Sequence, residues 1–157
     1  IQEVFKRLGI ESGECCEFGS ADGFFMSNTR ALIDKGWNAV LLEAKNGQFV
    51  TPENVNELVP QELDLLSIDI DGNDNMVWKA YQGNAKVVVI EINSGFPPGV
   101  IHFSLDKGCS YEYMKQLGES KGYTLLCHTG NLVFIQSQYA DLFPDRVESY
   151  DLSWIGV

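Results

Sequence analysis

The segment "KVVVIEIN", residues 86 to 93, constrains the fold more than any other stretch of the chain. Its β-branched residues run without alternation, and such a strand is buried on both faces, as in the interior of a parallel sheet covered by helices. Parallel strands need crossover connections, so helical segments must alternate with strands along the sequence. They do. "QEVFKRL" puts Val4, Phe5 and Leu8 on one helical face, and "ECCEF" (14–18) reads as the first strand. "SNTRALIDKGW" offers Ser27 as N-cap and Gly36 as helix stop, and "NAVLLEA" reads as a second strand ending at Glu43. "TPENVNEL" starts a helix with Thr51 as N-cap and Pro52 at its first position. "LDLLSIDID" is the third strand, and "NDNMVWKAY" an amphipathic helix with Met76, Val77, Ala80 and Tyr81 facing inward. Beyond the "KVVVIEIN" strand, "SYEYMKQLGESKGY" reads as a helix capped by Ser110, and "YTLLCHTGNLVFIQ" as two strands joined by a tight turn. The expected fold is α/β: a Rossmann-like, doubly wound, mostly parallel sheet with a C-terminal antiparallel hairpin.

A length of 157 residues with 45% apolar and 21% charged residues suits one folded domain, so 1–157 is read as a single unit. The net charge of −11, with no basic cluster longer than Lys6-Arg7, argues against a nucleic-acid partner, because such affinity comes from Lys and Arg neutralising phosphates. Cys15, Cys16, Cys109 and Cys127 show no C-x-x-C spacing, and the neighbouring pair points to opposite faces of a strand; buried, reduced thiols of a cytoplasmic protein are expected. No apolar run reaches the roughly 18 residues of a membrane span, and no signal peptide is read at an N-terminus that begins with Ile1 rather than Met. The expected partner is a small molecule, with no membrane partner and no constraint on oligomeric state.

The turn after the first strand carries the chemistry. In "CCEFGSADGFF", an acid, Glu17, precedes a turn with Gly19 and Gly23, where a ligand can approach the backbone and bond its N–H groups. Glu43 closes the second strand twenty residues after Gly23, where a nucleotide-binding βαβ unit puts the carboxylate that accepts ribose hydroxyls. The turn reads G-S-A-D-G and lacks the middle glycine of the dinucleotide fingerprint, which disfavours a nucleotide-binding oxidoreductase, the nearest enzyme alternative. A catalytically silent binding or assembly module is the other alternative.

The arrangement Glu17-x-Gly19-x-x-x-Gly23 resembles the first motif of class I S-adenosylmethionine-dependent methyltransferases. "LLSIDIDGND" is similar to the strand-four motif of the FkbM-type methyltransferases, with Asp69, Asp71, Gly72, Asn73 and Asp74 at the motif positions, and "VVVIEIN" followed by "GFPPG" resembles their next strand and loop. The resemblance runs from about residue 12 to 136. It implies a Rossmann-like fold, S-adenosylmethionine as cofactor, held by Glu17, Gly19, Ser20, Ala21, Gly23, Glu43 and Asp69, and methyl transfer, commonly to oxygen of a small, sugar-like acceptor. It also implies a further helix and strand between Glu43 and Leu63, where only 19 residues stand, so residues are expected to be missing from the sequence near 44–49, with a second such place between 102 and 109.

Methyl transfer is a displacement at a sulfonium, so the protein positions the acceptor, excludes water and supplies a base for a hydroxyl. Asp69 falls at a strand end beside the methionine moiety, and Asp71 or Glu91 is the catalytic candidate that takes the acceptor proton. Asp71 and Asp74 also read as turn and helix-cap residues, whereas Glu91 inside an apolar strand is costly without partners. Asp69, Asp71 and Asn93 form an alternative oxygen set for Mg²⁺, which would lower the hydroxyl's pKa; the metal-free route is preferred. His128 beside the hairpin turn reads as structural and His102 as a lid residue. Phe96-Pro97-Pro98 reads as a stiff loop walling the acceptor pocket.

Overall fold

Cys15 and Cys16 are adjacent in sequence and belong to different hydrophobic cores, one on each face of strand β1 (Glu14–Phe18). The computed structural model describes residues 1–19 and 22–147. β1 pairs in parallel with β2 (Asn38–Leu42) on one side and β3 (Glu62–Ile68) on the other, and β4 (Asn84–Glu91) continues the parallel set beside β3. β8 (Asn131–Gln136) runs antiparallel to β4, and β7 (Tyr123–His128) closes the hairpin outside it. The order is β2-β1-β3-β4-β8-β7, a Rossmann-like sheet with an antiparallel C-terminal edge. A second sheet pairs β5 (Phe103–Ser104) with β6 (Gly108–Cys109).

Helices cover both faces. On one, α1 (Gln2–Leu8) and α2 (Arg30–Ile33) contribute Phe5 and Leu32, with the Phe5 and Trp37 rings 4.6 Å apart. On the other, α3 (Val55–Leu58), α4 (Asp74–Ala80) and α5 (Tyr111–Ser120) bury Val55, Val77, Trp78, Tyr111 and Met114. Ser110 caps α5 as expected, its side chain accepting from the Tyr113 N–H. Among the described residues no helix is long and apolar enough to cross a membrane. The four cysteines are free thiols, three buried and Cys127 half-buried.

Three local expectations need correction. α2 begins at Arg30 with Thr29 as N-cap, because the Ser27 hydroxyl is drawn to Glu17 at 2.6 Å, although Ser27 Oγ still accepts from the Arg30 N–H at 3.1 Å. α3 begins only at Val55, because Asn54 Oδ1 accepts from the Thr51 N–H at 2.7 Å and ties residues 51–54 into a turn. Met76 faces solvent while Trp78 is fully buried: the inward stripe of α4 is Asp74, Val77, Trp78 and Tyr81, and Met76 lies off it.

Between β2 and β3 the chain forms a 3-10 turn, Ala44–Asn46, and α3, so these residues build no further strand and β2 stands at the sheet edge with Asn38 and Ala39 exposed. Residues 103–109 form the β5–β6 pair.

Candidate functional site

The carboxyl ends of β1, β2, β3 and β4 lie side by side, and there the sequence changes from apolar to acidic. Glu17, on β1, is 3% exposed. Its carboxylate accepts from Ser27 Oγ at 2.6 Å, Thr29 Oγ1 at 2.6 Å, the Asn28 N–H at 2.7 Å and Ser67 Oγ at 3.5 Å. All four partners belong to the chain itself, so Glu17 fastens the 27–29 loop to the sheet rather than facing a ligand. Sequence reading gives Ser27 only a capping role and does not single out Asn28, Thr29 or Ser67; the signal is three successive polar residues, "SNT", about ten residues after a strand acid.

Gly19 follows β1 at φ +76°, and a Cβ there would collide with the Asp69 carbonyl oxygen. Its N–H donates to the Leu42 carbonyl at 3.2 Å. The glycine is therefore required by the close approach of two strand ends, and its amide is not the open donor that the turn suggests in sequence. Gly23 is buried at φ +72° against Leu41, and Asp22 Oδ1 accepts from the Phe24 and Phe25 N–H groups, both at 2.9 Å. Ser20 and Ala21 lie outside the described residues.

Two clefts open at this end of the sheet. One, of about 500 Å³, is lined by Gly19, Glu43, Phe49, Val50, Asp69 and Asp71, among others. Glu43 is half-buried there, one residue past β2, and Phe49 and Val50 line the same cleft. The other, of about 620 Å³, is lined by Asp71, Asp74, Glu91, Asn93, Asp106 and Lys107, among others. Asp71 borders both.

The wall between the clefts is acidic. Asp69, lining the first, and Glu91, lining the second, bring carboxyl oxygens within 4.8 Å of each other. Two ionised carboxylates that close repel each other, which favours a proton on the pair. Burial, then the charges of Asp69, Asp74 and Asp71, raise Glu91 to about 8. Asp69 is itself raised, chiefly by burial, and the neighbouring Glu91 carboxyl opposes that rise.

Oxygens of Asp69, Asp71 and Glu91 lie within 4.8 Å of one another, a set able to close around a cation. Asn93 is not part of it: its Oδ1 accepts from the Gly95 N–H at 2.8 Å and its Nδ2 donates to the Lys107 carbonyl at 2.9 Å, which commits it to the loop after β4. That corrects the Asn93 expectation. His102 stacks on Phe96 at 4.4 Å with Nε2 3.2 Å from Ser104 Oγ, and neither lines the two clefts. His128 is buried, 3.3 Å from Ser94 Oγ, and burial lowers its pKa, in keeping with a structural residue.

Compared with known proteins, the chain matches no family model and no curated sequence.

Proposed function

We propose that the chain is an S-adenosylmethionine-dependent methyltransferase that methylates a hydroxyl of a small, sugar-like acceptor. The observation that carries this reading is the pair of clefts meeting at Asp71, with the Asp69–Glu91 carboxyl pair in the wall between them. A two-substrate transfer needs two compartments sharing one boundary. The Glu43 cleft suits a nucleoside: its carboxylate accepts the ribose hydroxyls, while Phe49 and Val50 offer apolar surface to a base. The Glu91 cleft takes the acceptor, and with Asp71, Asp106 and Glu91 set against Lys107 it suits an uncharged or cationic polyol better than a phosphorylated one. The resemblance of the Glu17-to-Gly23 and Asp69-to-Asp74 motifs to FkbM-type enzymes supports the same reading, as does the sheet order with its antiparallel last strand.

Held in the Glu43 cleft, S-adenosylmethionine would supply a methyl carbon activated by a sulfonium, the acceptor oxygen taking the methyl as the C–S electron pair stayed on sulfur. The acceptor hydroxyl loses its proton, and Glu91 takes it. Glu91 serves as base only when ionised, so turnover rises with pH through about 8. Asp71, at the boundary, orients the acceptor hydroxyl toward the methyl group. Asp69, Asp71 and Glu91 fit Mg²⁺ by donor type, and a bound Mg²⁺ would lower the acceptor's pKa instead. The metal-free route, with Glu91 as the base, is retained.

One observation favours a silent binding module: the Gly19 amide and the Glu17 carboxylate are both satisfied within the chain. Calorimetric titration with S-adenosylmethionine, S-adenosylhomocysteine and NAD decides. The methyltransferase reading expects the two sulfur nucleosides to bind and NAD not to. Binding of NAD alone would move the assignment to an oxidoreductase, and no binding of any of the three would leave the silent module.

A further inference from the structure

The backbone of Asp71 adopts φ +57°, a left-handed conformation uncommon for a residue with a side chain, and Gly72 follows at φ +137°. Two successive positive φ values turn the chain sharply between β3 and α4, and that turn points Asp71 at both clefts. The group that closes it is a side chain. Asp74, 4% exposed, accepts from the Ile70 N–H through Oδ1 at 2.8 Å and from the Gly72 N–H through Oδ2 at 3.0 Å. Its two oxygens thus hold the amides on either side of Asp71. From outside, the Leu105 carbonyl oxygen would stand 2.9 Å from a Cβ at Gly72, so the loop between β5 and β6 presses on the same turn.

Helix capping alone does not account for Asp74. It lies in α4 rather than at the N-cap, which is Asn73, and its oxygens reach back out of the helix. It also adds a carboxyl to a neighbourhood that already holds Asp69, Asp71 and Glu91, where its charge acts against theirs. A neutral residue would cap without that repulsion. Two acceptors on one short side chain, matched to two amides two residues apart, are what a carboxylate provides here.

We propose that Asp74 is a positioning residue: its carboxylate clamps the Ile70 and Gly72 amides and so holds the Asp71 carboxylate at the junction of the two clefts. The clamp rests on the methyltransferase reading only for the task it gives Asp71. The test is a double-variant cycle on the full chain, following the titration midpoint of Glu91 by carboxyl-carbon NMR without any ligand. Asp71 is one of the charges that raise Glu91, so Asp71→Asn lowers the midpoint in the native background. In an Asp74→Asn background the same substitution shifts it by less than about half as much, because Asp71 has left the junction. Exchange of the Ile70 and Gly72 amides speeds up about tenfold in Asp74→Asn. An equal midpoint shift in both backgrounds, or no shift from Asp71→Asn in the native chain, overturns the proposal. If Asp74→Asn does not fold, Gly72→Ala strains the same turn with the carboxylate kept, and the same two outcomes decide. Titrating these proteins with S-adenosylhomocysteine keeps the two readings apart, since failure of the native chain to bind it removes the methyltransferase assignment and leaves the cycle in force.

Discussion

Glu17 and Glu91 end neighbouring parts of one sheet, and their surroundings are opposite. Glu17 is enclosed by donors: two hydroxyls, an amide and, farther off, Ser67. Glu91 is surrounded by its own kind, with oxygens of Asp69 and Asp71 within 4.8 Å and the charges of Asp69, Asp74 and Asp71 all raising it. A carboxylate filled by its own chain holds structure together. A carboxyl crowded by others is kept at a cost to stability, and such costs concentrate where chemistry is done.

The largest expected effect lies on the satisfied side. Glu17→Ala leaves the Ser27 and Thr29 hydroxyls and the Asn28 amide without their acceptor, and urea unfolding should show a loss of about 4 kcal/mol. A loss below about 1 kcal/mol would mean that the 27–29 loop takes up water instead, and the contrast would collapse. Next comes Glu43, which tests whether the first cleft holds a nucleoside. Glu43→Ala should weaken S-adenosylhomocysteine by about 1.5 to 3 kcal/mol in calorimetry, as charge-assisted ribose bonds are lost. Unchanged affinity would remove Glu43 from the site.

How these two acids read in sequence explains what was legible. The strands were visible because burial on both faces leaves an apolar run with no alternation, as at Val87 to Ile90. The hairpin was visible because its turn residues have their own chemistry. The helix start at Ser27 depends on a partner in another element, Glu17, whereas the one at Thr51 gives way to a local turn closed by Asn54. At the site, Gly19, Glu43, Asp69 and Asp71 come to one cleft as their strand-end positions suggested, yet the reason for Gly19 is a carbonyl fifty residues away. No local pattern carries that. Nor does any local pattern show that Asn93 turns into its own loop while Glu91 turns toward Asp69.

A smaller effect tests the crowded side. The Glu91 carboxyl titrates near 4.5 when unfolded and near 8 when folded, so in between the native state holds a proton that the unfolded chain has lost. Its contribution is therefore fully present below about 4.5 and declines as pH rises toward 8. Glu91→Gln removes the decline. At pH 8 the variant should be more stable than the native chain by about 1 kcal/mol, a figure discounted for solvent screening at a half-buried group. Melting curves from pH 5 to 9 check it. A variant with the same pH slope as the native chain would show that Glu91 ionises normally, and the difference from Glu17 would lose its meaning. The smallest effect concerns cations: chelation should change methyl transfer less than about twofold, because in the proposed mechanism Glu91 and not a metal activates the acceptor hydroxyl. Abolished turnover would instead assign Asp69, Asp71 and Glu91 to a metal.

The edge position of β2 has a mechanical consequence. The floor of the Glu43 cleft is rigid, because Gly19 is pressed on Asp69 so closely that β1 and β3 must move as one piece. The wall that carries Glu43 belongs to a strand bonded on one side only, continued by a single 3-10 turn and by Phe49, 65% exposed. The cleft is thus a vice with one fixed jaw and one yielding jaw. Its amides from residue 38 to 50 should exchange through openings that leave β1 and β3 untouched, and a ligand gripping Glu43 would slow those while leaving the floor's unchanged.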